Sequence, residues 1–215
     1  MIPNNQFVSC LAPHRTLMEV NMVKRDAALH VLREFVREED LVVAVYQTCF
    51  DWLVICPRDL NYVSVGAMGQ ASSHALGLAI GSPKRQIIVL DGDGSLLMNL
   101  GSLVTIGEIH PEKFLHLVFE NGVYGVNGDQ PIPGKGQINF ARIAESAGYL
   151  SAHAFDKLAE FKSMLPTMLN SNGPAMGVVK VVPGVMYPAD YEFIHGRESR
   201  RRFREALKHS VCREL

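Results

Sequence analysis

Two short apolar runs, each ending on a polar turn that contains glycine, constrain this chain more than any other feature. The first, Ile87-Ile88-Val89-Leu90, runs into Asp91-Gly92-Asp93-Gly94-Ser95. The second, Leu115 to Phe119, runs into Glu120-Asn121-Gly122. Neither alternates strictly between apolar and polar residues, which is the pattern of strands covered on both faces of a parallel sheet. The segment between them is long enough for a crossover helix. In open α/β sheets ligands bind beyond the carboxyl ends of the strands. The stretch from Asp91 to Gly125 therefore reads as a site.

Its chemistry follows from the residue types. Asp93 supplies a carboxylate and Asn121 an amide oxygen, hard ligands that suit Mg²⁺ or Ca²⁺; Mg²⁺ completes its octahedron with phosphate oxygens and water. Gly92 and Gly94 allow close backbone approach to a ligand. Ser95 is expected to open a helix whose free N–H groups favour phosphate. A metal-bridged diphosphate fits these parts. Taken alone, Gly92-Asp93-Gly94-Ser95 is more simply a capping turn, and spacing separates the two readings. Residues 95–119 lie between Gly94 and Glu120, giving the pattern GDG-x25-EN.

This pattern resembles the thiamine diphosphate motif, in which GDG is followed at similar spacing by NN. The resemblance implies that Asp93, Asn121 and the backbone carbonyl of Val123 hold Mg²⁺. It also implies that Gly92, Gly94, Ser95, Gly122 and Tyr124 surround the cofactor. Glu120 replaces the first Asn of the motif. Strand alternation points it away from Asn121, so the metal site is expected to survive. An acidic residue at this position is also similar to the phosphonopyruvate and sulfopyruvate decarboxylase branch. Upstream, Tyr62-Val63-Ser64-Val65-Gly66-Ala67-Met68-Gly69-Gln70-Ala71-Ser72 resembles the VGSMGHAS segment of those decarboxylases. By that resemblance the Gly66 carbonyl receives a hydrogen bond from the aminopyrimidine, and Met68 props the cofactor into its bent shape. Met68 precedes Asp93 by 25 residues, a spacing similar to that in other decarboxylases of the family.

The fold expected is α/β, a doubly wound, mainly parallel sheet with helices on both faces. Residues 1–21, polar and carrying Pro3 and Pro13, read as an N-terminal arm. Residues 22–190 read as the diphosphate-type domain, and residues 191–215 as a basic C-terminal helix or tail. Helical spacing runs from Lys24 to Val36, and Leu41 to Val45 reads as the first strand. Tyr46-Gln47-Thr48 follows at its carboxyl end, where relatives of the resembled family have a small or glycine-containing turn that touches the diphosphate. The match here is poor, and Gln47 and Thr48 are not expected to contact phosphate. Tyr62 to Val65 is a second strand, and small residues fill the helix after Gly69. One helix is expected over Leu97 to Glu108 and a site-covering loop over Val123 to Gly136. Helices over Phe140 to Ala147 and Phe155 to Leu169 flank a strand at Leu150 to Ala154, and Met176 to Val182 is the last strand. Phe203 and Leu207 share one face of the C-terminal helix, which leaves the surrounding arginines in water.

A formal net charge of −1 gives no reason to expect nucleic acid or an anionic membrane surface as a partner. No apolar run approaches the length of a membrane span, and the first residues lack the pattern of a signal peptide; a cytoplasmic location is expected. Cys10, Cys49, Cys56 and Cys212 form no CxxC pair, so free thiols are expected and an iron–sulfur site is not. Among the histidines, His74 stands out because it follows the Met68 segment by about two helical turns. Lys135 is a tempting anchor for an anionic substrate, but reads better as an exposed loop lysine.

The resemblance implies non-oxidative decarboxylation of a small anionic 2-oxo acid with Mg²⁺ and thiamine diphosphate. In that family a second, pyrimidine-binding domain supplies an activating glutamate. The residues before the first strand are too few for such a domain, so a separate pyrimidine-domain subunit in a hetero-oligomer is expected. Two alternatives stand beside this reading. One is the thiamine-binding subunit of a ferredoxin-linked 2-oxo acid oxidoreductase, whose N-terminal cysteine motif and GDGD variant are absent. The other is a non-catalytic scaffold that keeps the fold.

Overall fold

The computed structural model describes residues 22–64, 68–182 and 187–211. In chain order the elements are β1 (Val23–Lys24), α1 (Arg25–Arg33), β2 (Leu41–Ala44), α2 (Tyr46–Ile55), β3 (Asn61–Val63) and α3 (Ala71–Gly81). There follow β4 (Ile87–Gly92), α4 (Asp93–Leu97), α5 (Gly101–Ile109), β5 (Phe114–Glu120), β6 (Val123–Tyr124) and β7 (Gln130–Pro131). The chain continues through α6 (Phe140–Ser146), β8 (Ser151–Phe155), α7 (Leu158–Leu169), β9 (Ala175–Val182), α8 (Tyr191–His195) and α9 (Arg197–Val211).

The main sheet is parallel, in the order β1-β9-β5-β4-β2-β3. β8 also pairs with β9, through Ala175–Val179, while β1 pairs further along at Val181 and Val182. From β2 the chain steps outward to β3, then returns to the other side of β2 to build β4 and β5. The strand order therefore reverses between β2 and β4, the position where open α/β sheets form a ligand crevice.

Alternation along the strands divides the core into two layers. Leu41, Val43, Ile87, Val89, Phe114, Val118, Met176 and Val178 face α3, α5, α6 and α9, where Ala75, Leu103, Ala144 and Phe203 are buried against them. Val42, Ala44, Ile88, Leu90, Leu115, Leu117 and Val179 face α1, α2 and α7, with Leu29, Leu32, Trp52, Phe161 and Leu165. This is the doubly wound sheet expected. Trp52 is fully buried, its indole N–H donating to Asn61 Oδ1 at 3.0 Å. The Asn61 amide in turn donates to the Cys56 carbonyl at 2.7 Å and fixes the turn into β3. Phe203 of α9 packs edge-on against Tyr62, with ring centroids 5.2 Å apart, so α9 docks by its apolar face. Arg201 and Arg202 stay exposed and pair with Glu198 on the same helix.

Several elements differ from expectation. The single helix expected over Leu97 to Glu108 is two, α4 and α5, separated at Met98–Leu100. Asn99 lies in that break and donates across to the Gly69 carbonyl at 2.9 Å, a contact made from outside the helical ladder. Helix α4 opens at Asp93, two residues before Ser95. Tyr46-Gln47-Thr48 is the first turn of α2, and Tyr46 holds a left-handed backbone with φ of 43°. Val123 to Pro131 forms the short β6–β7 hairpin around a 3-10 turn at Gly125–Asn127, within the stretch expected as a site-covering loop. The arm over residues 1–21 lies outside the described residues.

Candidate functional site

The carboxyl ends of β2, β4 and β5 open into one cavity of about 240 Å³, closed on one side by the β6–β7 hairpin. Met68, Gly92, Asp93, Gly94, Ser95, Asn121, Val123 and Tyr124, eight of the residues singled out in the sequence, line it. Gly122 stands just behind this surface, and its N–H donates to Asp93 Oδ2 at 2.6 Å. Gly66 lies outside the described residues.

Asp93 is the centre of the arrangement. Its Oδ1 accepts from the Gly94 N–H at 2.8 Å, so two backbone amides from two different strand ends hold one carboxylate. The side chain is buried, and burial pushes its carboxyl above the usual carboxylate range; hydrogen bonds from Gly122 and Gly94 pull it back. No lysine, arginine or histidine pairs with it among the described residues. A buried carboxylate without a counter-charge is costly, and a divalent cation in the cavity would supply that charge. Asn121 Oδ1 accepts from the Val123 N–H at 2.9 Å, which locks the amide into a turn at the mouth of β5. The donor set of one carboxylate, one amide oxygen and one backbone carbonyl suits Mg²⁺ that takes its remaining ligands from phosphate and water. Among the described residues no group of three or more His, Cys, Asp or Glu side chains forms a metal cage.

Ser95 does not cap the helix. Its hydroxyl accepts from the Gly69 N–H at 3.0 Å and, with the Asn99 contact to the Gly69 carbonyl, ties the Met68 segment to the turn at Asp93. Gly69 is held at φ of 83°, with the space for a Cβ already taken by Asn99 and Met98. Gly94 meets a different demand: a Cβ there would lie 2.6 Å from the Tyr124 ring, which packs directly over the turn. Glu120 is half-buried on the strand register opposite Lys180 and does not line the cavity, as alternation predicted.

Tyr46, Gln47 and Thr48 line the cavity, although their segment matched the family poorly and a place at the site was not expected of them. Arg25, Gly125, Val126 and Asp129 also line it and were not singled out. Lys135 does not: its aliphatic stem packs over Gly122, and its ammonium group is exposed. His74 forms a 3.0 Å hydrogen bond with Ser64 and an edge contact with Tyr62, outside the cavity lining. Beneath the site, fully buried Asp91 and His116 approach to 3.4 Å, and His116 reaches Tyr149 at 3.1 Å. Asp91 also accepts from the Gly92 N–H, so this chain braces the strand end from below. Cys49 and Cys56 are free thiols, as expected; Cys10 and Cys212 lie outside the described residues. No helix among the described residues is long and apolar enough to cross a membrane.

Comparison with known proteins bears on what this site is. Residues 52–179 match the family described as thiamine pyrophosphate enzyme, C-terminal TPP binding domain. Phosphonopyruvate decarboxylase of Streptomyces viridochromogenes is 34% identical over 181 residues, which is 84% of this chain and 45% of that protein. Sulfopyruvate decarboxylase subunit beta of Methanocaldococcus jannaschii is 36% identical over 153 residues, 71% of this chain and 80% of that subunit. The chain thus spans less than half of the first relative and most of the second. Benzoylformate decarboxylase from Polynucleobacter necessarius shares the fold, with a TM-score of 0.67 at 21% identity over 83% of this chain and 36% of that one. The motif around Asp93, the parallel sheet that presents it and these matches agree, and the chain belongs to the thiamine pyrophosphate enzymes, carrying their C-terminal TPP-binding domain.

Proposed function

We propose that this chain is the Mg²⁺–thiamine diphosphate-binding subunit of a 2-oxo acid decarboxylase of the sulfopyruvate or phosphonopyruvate type, completed by a separate pyrimidine-domain subunit. The observation that carries this reading is the buried Asp93 carboxylate, held by amides from two strand ends and left without a cationic side chain in a cavity shared with Asn121. The names of the relatives support the substrate class. The subunit-beta relatives, of which this chain spans most of the length, support the division into two chains.

When bound, thiamine diphosphate supplies the carbon nucleophile and the electron sink for loss of CO₂. The residues of this chain bind and orient. Asp93, Asn121 and the Val123 carbonyl would hold Mg²⁺ against the diphosphate. Met68, fixed through Gly69 by Ser95 and Asn99, would set the cofactor's shape from the side of the cavity. Gly66 is proposed to contribute its carbonyl to the aminopyrimidine. Tyr124 closes the cavity over Gly94 and excludes water from the turn.

The test is cofactor binding by the full chain in the presence of Mg²⁺, followed by turnover of sulfopyruvate and phosphonopyruvate after mixing with a pyrimidine-domain subunit. Asp93→Ala is expected to weaken thiamine diphosphate binding by about 100-fold or more, because it removes a charged metal ligand in a low-dielectric site. Unchanged binding in that variant would reject the metal-anchored reading.

A further inference from the structure

Three polar side chains are buried inside the apolar layer that faces α3, α5 and α6. Asp91 on β4 and His116 on β5 are fully buried, and Tyr149, between α6 and β8, is nearly so. Asp91 stands opposite Val118 and His116 opposite Val89, so carboxylate and imidazole are diagonal neighbours on one face of the sheet. His116 Nε2 lies 3.4 Å from Asp91 Oδ2, and its Nδ1 lies 3.1 Å from the Tyr149 hydroxyl. A neutral imidazole donates through one nitrogen and accepts through the other, and a carboxylate only accepts. Nε2 therefore donates to Asp91 and Nδ1 accepts from Tyr149, whose phenol is pushed well above its usual range by burial and the Asp91 carboxylate. The Gly92 N–H donates to the other Asp91 oxygen at 2.9 Å. The donors run in one direction, toward Asp91.

Stability is a poor reason for such a relay. The layer is otherwise built from side chains such as Leu103, Ile106, Val118, Ala144 and Met176, and well-packed apolar residues in place of a buried charged set are often neutral or stabilising. A satisfied polar network instead fixes a direction. The part it fixes here is the turn that carries Asp93. The ladder between β4 and β5 ends at Gly92 and Phe119, and Asp93 and Asn121 both lie beyond it. Above that last rung, the Gly122 N–H joins Asp93 to the β5 turn at 2.6 Å. Below it, Asp91 holds the Gly92 amide, and His116 ties Asp91 to the strand that leads to Asn121.

We propose that His116, acting through Asp91, is a positioning residue for the metal site and sets its preference for Mg²⁺ over Ca²⁺. This rests on the functional reading above and deepens it. Mg²⁺ demands a near-ideal octahedron with short bonds, whereas Ca²⁺ accepts longer bonds and varied geometry. Two side-chain ligands from two different strands favour the smaller ion only while their separation is held. The relay holds it from beneath, by fixing the last rung before Asp93 against the strand of Asn121. Loosening it lets the two ligands drift by the few tenths of an ångström, roughly, that separate the bond lengths of the two ions. Mg²⁺ is weakened by such a drift and Ca²⁺ tolerates it.

The test titrates Mg²⁺ and Ca²⁺ separately into the full chain with thiamine diphosphate and reads cofactor binding by calorimetry. Circular dichroism and urea titration establish folding. The central variant is His116→Leu/Asp91→Asn, which strands no charge and keeps an oxygen to accept from the Gly92 N–H. Its half-saturating Mg²⁺ concentration is expected to rise about tenfold, the size of a lost outer partner of a metal ligand, and that of Ca²⁺ by less than about threefold. His116→Gln, whose amide keeps a donor for Asp91, is expected to restore most of the Mg²⁺ preference. Tyr149→Phe loses one hydroxyl and almost no volume, and is expected to raise the Mg²⁺ requirement about threefold with that of Ca²⁺ unchanged. If the double variant is unfolded, the Tyr149→Phe titration decides alone. Equal rises for both ions would make the relay a plain stabilising contact and overturn the assignment, as would an unchanged Mg²⁺ titration in a folded variant. A wild-type chain that binds no thiamine diphosphate with either ion would instead bring down the functional reading itself.

Discussion

Asp93 and Asp51 are both buried carboxylates near the carboxyl end of the sheet, yet they are stabilised in opposite ways. Asp93 is held by backbone amides of Gly94 and Gly122 and meets no cationic side chain among the described residues. Asp51 is neutralised at 2.6 Å by Arg25. Amide dipoles orient a carboxylate without cancelling its charge, so Asp93 still presents a negative field to the cavity. An ion pair cancels most of the charge of both partners, so Asp51 acts by fixing where the Arg25 fork points. One carboxylate presents its charge to the cavity, and the other gives it up to hold an arginine in the cavity wall.

The sharpest way to break this comparison is to remove Asp51. Asp51→Ala leaves the Arg25 charge buried and unpaired, and is expected to cost about 3–5 kcal/mol in a urea titration. Replacing both partners by apolar residues of similar size, Arg25→Met with Asp51→Leu, is expected to restore stability to near or above the wild type. Such a double variant would show that the cost of the single change comes from the stranded charge and not from lost packing. If Asp51→Ala were as stable as the wild type, the pair would not be the dry contact described.

A smaller effect is expected on the Asp93 side. Ser95→Ala leaves the buried Gly69 N–H without its acceptor and is expected to cost about 1–3 kcal/mol of stability. Because that bond also fixes the Met68 segment, cofactor affinity should fall as well, whereas Asn99→Ala, which frees the Gly69 carbonyl instead, should act in the same direction. Loss of stability without any loss of affinity would show that the Met68 segment is placed by other contacts.

The smallest change is expected at Cys49, beside Asp51 on α2. Burial and the nearby Asp51 carboxylate push its thiol up to about 12. The thiolate, the reactive form, is therefore scarce from neutral pH to about pH 10, and the buried sulfur is inaccessible in the native state. Alkylation mapped by mass spectrometry should leave Cys49 unmodified in the wild type over that range. In Asp51→Ala the same cysteine should react at a rate set by opening of the fold, so one thiol reports whether the pair has been broken.

The contrast between the two carboxylates also shows what could be read before the structure. Asp93 and Asn121 were legible because each lies in the polar turn that ends an apolar run, and the distance between them resembles a known motif. Strand alternation correctly turned Glu120 away from the cavity, and Phe203 with Leu207 correctly marked the docking face of α9. Arg25 and Asp51 carried no such mark. Arg25 opens an ordinary amphipathic helix, Asp51 lies in an apolar segment that reads as packing, and the 26 residues between them follow no motif. Ser95 was singled out for the right site with the wrong contact, because a serine at a helix start normally caps it and only the packed Gly69 segment offers the alternative donor.

Local pattern by itself determined the class of this protein. Unalternating apolar runs demand burial on both faces of a parallel sheet, and the polar glycine turns at their ends stand where such a sheet can bind a ligand. These are properties of neighbouring residues, so the order of amino acids suffices to state them. The tertiary structure decided the reversal of strand order between β2 and β4, which brings the first turn of α2 beside the turn at Asp93. It decided the break between α4 and α5, where a side chain reaches another segment, and the pairing of Arg25 in the cavity wall with a carboxylate on a different helix. Each of these depends on which distant groups come within hydrogen-bond reach once both faces of the sheet are covered, and hydrogen bonds of that range leave no periodic trace in the sequence.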